Sequence, residues 1–205
     1  NMKALIASMR EAGHVVEEVS FPYIEYLVPC YYVLTTAEAS SNLARYQGLQ
    51  YGFRSENAVD LESTFKKSRA EGFGPEVKRR IMLGTFVLSE GFYDAYYTKA
   101  QKVRRFITDK TEAILKDYDF ILLPTTPTAA FKIGEKASNP VAMYLADIFT
   151  VQANITGMPA ISIPGAGKID GMSWGIQLMA ARRKDVELLS FAHTLQESIA
   201  VAHEN

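Results

Sequence analysis

Few side chains in this 205-residue sequence combine the types and spacings that reaction chemistry demands. Ser40 and Ser41 are adjacent hydroxyls, but they sit in Ala-Glu-Ala-Ser-Ser-Asn with no neighbouring glycine. A serine attacks an amide only with a positioned base and oxyanion donors, and an ordinary helix does not offer that loop geometry. Cys30 is the single cysteine, follows Pro29 in an apolar stretch and has no histidine near it in sequence. It reads as a small buried hydrophobe rather than a nucleophile. His14, His193 and His203 fall on three different elements without a ligand spacing, so no metal site is legible. His193 reads as a surface or packing residue and Trp174 as core. Lys99, Lys102, Arg104 and Arg105 cluster on one expected helix. They read as a solvated face, with a surface for nucleic-acid phosphates as the rival.

The elements that must carry these groups alternate between helix and strand. Leu5, Ile6 and Met9 before Gly13 predict a short amphipathic helix over residues 2–12, and β-branched residues 15–19 a strand ending at Phe21-Pro22. Residues 26–46 read as a helix beginning near Pro29, and 48–57 as a loop. Asp60 is placed to cap a helix over 61–70. Gly72-Phe73-Gly74 then breaks the chain, and Pro75 opens a helix on which Val77, Ile81, Gly84 and Leu88 share a face. Tyr96, Ala100, Val103, Ile107 and Ile114 form a stripe down a helix over 94–116.

Residues 120–123 are an apolar run of buried-strand type, ended by Pro124-Thr125-Thr126-Pro127. A loop to about Pro140 is followed by a helix over 143–154, strands over 160–163 and 174–179, and a closing helix over 185–200 capped by Asp185. The expected class is α/β, a mixed β-sheet sandwiched between helices and folded as one domain.

Composition narrows the field. A hydrophobic content of 48% supports a sizeable core, and 22 Lys and Arg against 23 Asp and Glu leave a net charge of −1. That excludes a global field able to gather nucleic acid or anionic membrane, so any such contact would be local. No apolar run approaches the ~20 residues that span a bilayer. A single cysteine excludes an internal disulfide framework and fits a reducing compartment.

Longer strings carry a resemblance. Glu38-Ala-Ser-Ser-Asn-Leu-Ala-Arg-Tyr46, Tyr51-Gly52 and Glu71-Gly-Phe-Gly-Pro-Glu-Val-Lys-Arg-Arg-Ile-Met-Leu-Gly84 are followed by Tyr93-Asp-Ala-Tyr-Tyr97 and Lys99-Ala-Gln-Lys-Val-Arg104. Pro124-Thr-Thr-Pro127 and Gly157-Met-Pro-Ala-Ile-Ser-Ile-Pro164 complete the series. In this order they resemble the C-terminal part of the amidase-signature family. The first strings are most similar to the branch of that family formed by the A subunits of the amidotransferases that convert Glu-tRNA(Gln) to Gln-tRNA(Gln). One stretch departs from the family: Gly171-Met-Ser-Trp-Gly lacks the usual proline, and Ala180 stands where a glycine is common.

The resemblance implies a serine nucleophile, activated through a second serine and a lysine, in a Gly- and Ser-rich tract. These 205 residues contain no such tract, so the chain is expected to lie downstream of it and to be inactive alone. It further implies hydrolysis of glutamine, with ammonia passed to a partner subunit that activates Glu-tRNA(Gln) with ATP. The expected partners are the B and C subunits of the amidotransferase, with tRNA bound mainly through the partner, no cofactor in this chain, no membrane, and a cytoplasmic location. By the same resemblance Arg80 and Asp147 bind substrate, with Tyr31 lining the pocket. An arginine fork matches glutamine's α-carboxylate, and a carboxylate its α-ammonium. At 100° per residue Arg80 lies about 70° from the centre of the Val77/Ile81/Gly84/Leu88 face, whereas Arg79 lies nearly opposite and points to solvent. Asp147 falls between Met143 and Val151 on its helix, where burial would require a cationic or donor partner. The alternatives are an internal Arg80–Asp147 ion pair or two unrelated surface charges, a catalytically inactive assembly module, and another amidase.

Overall fold

The computed structural model describes residues 1–135 and 140–204. In chain order these form α1 (Met2–Glu11), α2 (Leu27–Asn42), α3 (Leu61–Gly72), α4 (Pro75–Val87), α5 (Lys99–Asp117), β1 (Phe120–Pro124), α6 (Pro140–Leu145), α7 (Ile148–Thr156), β2 (Ala160–Pro164), β3 (Gly175–Ala180) and α8 (Asp185–Glu204). They gather into two compact units, Asn1–Val28 with Arg104–Asn205, and Pro29–Val103.

The first unit is built on a sheet of order β1-β3-β2 with both pairs antiparallel. Central β3, Gly-Ile-Gln-Leu-Met-Ala, is buried from Ile176 to Ala180, as its apolar run predicts. Its Ile176, Leu178 and Ala180 join Ile163 of β2 on one face. Against that face lie Leu188, Ala192, Leu195 and Ile199, a stripe of spacing four, three and four on α8, together with Leu5 and Met9 of α1. Each such Leu, Ile or Met side chain removed from water stabilises the fold by about 1.5–3 kcal/mol. On the other side of β3, Gln177 Nε2 donates to the Phe149 carbonyl of α7 at 2.9 Å. Helices thus cover both faces.

The connection from β2 to β3 turns at Asp170 and Gly171, both at positive φ (50° and 78°), while Ile169 and Met172 exchange backbone hydrogen bonds. Positive φ at both central residues is what a tight hairpin turn needs, so the missing family proline leaves a working turn. Trp174 packs against the core, and its Nε1 donates to the Ala166 carbonyl at 2.8 Å. A Cβ on Gly165 would stand 2.3 Å from the indole, so glycine alone admits the ring there.

The second unit is helical. Cys30, Leu34 and Ala100 form a buried cluster flanked by Val33, Tyr97 and Val103. The Cys30 thiol donates to the Ala100 carbonyl at 3.4 Å, in keeping with a packing role. Helix α4 approaches α2 at Gly84, where a Cβ would fall 1.9 Å from the Thr36 carbonyl oxygen. Asp60 caps α3 as expected and forms a full capping box with Ser63.

Several expectations are corrected. Residues 15–19 form no strand among the described residues, and Arg10 takes the Val16 carbonyl through Nε at 3.0 Å and Nη2 at 2.5 Å. A guanidinium occupies a ladder position, and Val15 stays 82% exposed. The described sheet is antiparallel throughout instead of mixed. The expected helix over 143–154 is two, α6 and α7, broken at Ala146-Asp147. The stripe over 94–116 fails at its start because residues 94–98 wind as a π-helix; the changed phase leaves Tyr96 44% exposed while Ile107 is fully buried. Asp185 is the first residue of α8 and lies in its acidic first turn with Glu187, not outside the helix as a cap. Residues 136–139 of the expected loop lie outside the described residues.

Candidate functional site

Arg80 lies on α4, half-buried with its side chain 39% exposed, while Arg79 turns further outward at 57%. The helical phase that separates the two residues is borne out. Glu76, one turn earlier, accepts from both: Arg80 Nε approaches Oε1 at 3.0 Å and Arg79 Nη1 approaches Oε2 at 3.1 Å. The Arg80 guanidinium lies over the Tyr32 ring at 5.8 Å, and Tyr31 meets Tyr32 edge to face at 5.7 Å. The hydrogen bond to Glu76 pushes the Arg80 pKa above its usual value against the opposing effect of burial, with Tyr32 and Tyr31 adding to the rise. Arg80 is a permanent cation whose Nε is engaged by Glu76. Arg80 and Tyr31 thus belong to one cluster of the helical unit.

Asp147 belongs to the sheet-containing unit. It is the residue before α7, at φ −97° and ψ 4°, and its exposed side chain makes no cap bond to its helix. Its backbone carbonyl is fully used, accepting from Thr150 N at 3.0 Å, Val151 N at 3.1 Å and Thr150 Oγ1 at 2.9 Å. Val151 and Ile155 are buried, as the spacing implied, but the break in the helix carries the carboxylate out of that face. The remainder of α7 is tightly held. Gln152 Nε2 donates to Thr111 Oγ1 at 2.9 Å, Arg104 Nε to the Ile155 carbonyl at 2.8 Å, and Arg182 Nη2 to the Thr156 carbonyl at 2.8 Å.

The other chemistry-bearing residues take structural positions. Ser40 Oγ and Thr85 Oγ1 share a hydrogen bond at 2.9 Å between α2 and α4. His14 meets Phe191 edge to face at 5.5 Å, and His193 faces Glu197 at 3.4 Å on the surface of α8. The His203 side chain lies outside the described residues. No group of three His, Cys, Asp or Glu able to hold a metal occurs among the described residues. Of the basic cluster, Lys99, Lys102 and Arg105 are exposed, whereas Arg104 is half-buried on the α7 carbonyl. Sequence reading missed Glu76 and Gln177. A carboxylate four residues before an arginine was the available signal for the first. A lone amide in an apolar strand was the signal for the second.

Residues 1–189 match the sequence profile of the Amidase family. The chain belongs to the Amidase family. Within that family it is 51% identical over 194 residues to the Glutamyl-tRNA(Gln) amidotransferase A subunit of Halothermothrix orenii, covering 95% of this chain and 40% of the relative. It is 54% identical over 178 residues to the protein of that name from Lacticaseibacillus casei, covering 87% and 37%. The crystal structure of the Glutamyl-tRNA(Gln) amidotransferase A subunit from Thermotoga maritima superposes with a TM-score of 0.65 at 41% identity, over 91% of this chain and 35% of that one. A further amidase crystal structure shares the fold, with a TM-score of 0.70 at 20% identity over 96% and 41%. The chain therefore spans about two fifths of the length of these Amidase relatives. The small antiparallel sheet with helices on both faces is part of the α/β amidase fold. No described helix is long and apolar enough to cross a membrane.

Proposed function

We propose that the chain is the glutamine-recognition part of the A subunit of a tRNA-dependent amidotransferase, a glutaminase that supplies ammonia for the conversion of Glu-tRNA(Gln) to Gln-tRNA(Gln). The observation that carries this reading is identity near one half, sustained over 87–95% of the chain, to proteins of that name. Arg80 then takes the glutamine α-carboxylate through its terminal nitrogens, with Glu76 and Tyr32 setting the plane of the guanidinium. Asp147 takes the α-ammonium, and Tyr31 lines the pocket. An exposed Asp147 carboxylate, unused by its own helix, is compatible with that role.

These 205 residues supply recognition and not the nucleophile, since they contain no Gly- and Ser-rich tract. The ammonia passes to a partner subunit that activates the tRNA-borne glutamate with ATP and makes most of the tRNA contacts, the partners being the B and C subunits of the amidotransferase. The whole works in the cytoplasm. The test is substrate preference of the full-length protein: hydrolysis of glutamine far above simple amides that lack the α-carboxylate and α-ammonium supports the reading. Equal rates on both classes would assign the protein to a different amidase specificity. No amide hydrolysis at all would point to an inactive assembly module.

A further inference from the structure

We infer that Gln177 is a positioning residue for Asp147, acting through the first turn of α7; the inference rests on the proposed role of Asp147. Gln177 is the polar exception in β3, flanked by Ile176, Leu178 and Met179, and it is 4% exposed. Burying a carboxamide costs stability unless its donors are satisfied. Here the Nε2 donor crosses to the Phe149 carbonyl at 2.9 Å, 28 residues earlier in the chain. Phe149 is two residues beyond Asp147, in the turn where Thr150 and Val151 donate to the Asp147 carbonyl.

The middle and end of α7 are fixed separately, by Gln152 to Thr111 and by Arg104 and Arg182 to its last carbonyls. Gln177 supplies the corresponding anchor at the start, next to the break from α6. The anchor stands on rigid ground, because β3 pairs on both sides, with Gln177 opposite Leu123 of β1 and Ser162 of β2. A carboxylate on a chain break is free to wander unless the turn that bears it is tied to a scaffold. A substrate-binding group must be held to within about 0.5 Å of its working position.

The experiment combines kinetics with amide exchange on the full-length protein carrying Gln177→Met, Gln177→Glu or Asp147→Asn, and on the Gln177→Met/Asp147→Asn double variant. Gln177→Met keeps length without a donor. Gln177→Glu keeps shape but turns an ionised oxygen toward the Phe149 carbonyl. Either single change is expected to raise KM for glutamine roughly two- to tenfold, the worth of one hydrogen bond, with kcat nearly unchanged. The double variant is expected to match Asp147→Asn alone, and the Thr150 and Val151 amides to exchange faster in Gln177→Met.

Faster exchange with an unchanged KM in Asp147→Asn would retire the glutamine role of Asp147 while leaving the anchoring intact. Wild-type exchange and KM in both Gln177 variants, or an effect additive with Asp147→Asn, would overturn the inference. Failure of both Gln177 variants to fold would do so too, by making Gln177 a core residue.

Discussion

Arg80 Nε donates to Glu76 Oε1 at 3.0 Å, one helical turn back along α4. The bond fixes one edge of the guanidinium, and the Tyr32 ring lies against it at 5.8 Å. Glu76 also holds Arg79, which is further out in solvent. Two adjacent arginines with the same acidic partner thus differ in what surrounds them. Arg80→Ala is expected to raise KM for glutamine about ten- to more than a hundredfold, the loss of a charge-assisted pair worth about 1.5–3 kcal/mol. Arg79→Ala should change it little, because Glu76 and Tyr32 remain to orient Arg80. Steady-state kinetics on the full-length protein decides, and equal effects of the two substitutions would reduce both to surface charges.

The 205-residue chain purified alone is expected to release no ammonia from glutamine at any pH. Ser40 is engaged with Thr85, and it sits within a regular helix that offers no oxyanion loop. Ammonia release above a heat-inactivated control would show that these residues carry a nucleophile of their own.

Gly84→Ala should destabilise the protein by about 1–3 kcal/mol, the usual cost of overpacking. The added methyl would meet the Thr36 backbone oxygen, which no rotamer change can move. Against this stands a gain in helix propensity of about 1 kcal/mol. A denaturant midpoint equal to or above wild type would mean that α2 and α4 part without loss.

Asp60→Ala should lower thermal stability at neutral pH, and the difference from wild type should shrink in acid. Hydrogen bonds from the Ser63 hydroxyl and backbone N–H hold the Asp60 carboxyl below its ordinary value of 3.8. A group depressed in the folded state contributes above its unfolded pKa and loses that contribution as pH falls through the folded value. The window is therefore below about pH 4. Thermal melts at neutral and acid pH check it, and a gap that does not narrow in acid would discount the carboxylate.

Where local chemistry decides the fold, the sequence is readable. Pro75 opens α4, Asp60 caps α3, and on the expected α4 face Gly84 is buried with Val77, Ile81 and Leu88 half-buried. The three apolar strands appear within one residue of their expected bounds. Reading fails where a distant partner decides. The β-branched run at 15–19 has the composition of a strand, but Arg10 takes a carbonyl that a ladder would need. The continuous stripe over 143–154 hides the break at Ala146-Asp147, which carries Asp147 off the apolar face of that stripe. For the site, helical phase alone separates Arg80 from Arg79. The lone amide of Gln177 in an apolar strand signals a buried partner, but that partner, Phe149, lies 28 residues away and no local pattern names it.

The most direct measurement is amidation of Glu-tRNA(Gln) by the full-length protein combined with the B and C subunits of the amidotransferase, glutamine and ATP. Gln-tRNA(Gln) should form, and formation should fall at limiting glutamine in Arg80→Ala but return when ammonium replaces glutamine, because the role proposed for Arg80 is glutamine recognition alone. Hydrolysis of glutamine with no Gln-tRNA(Gln) formed, or a defect in Arg80→Ala that ammonium does not relieve, would contradict the assignment.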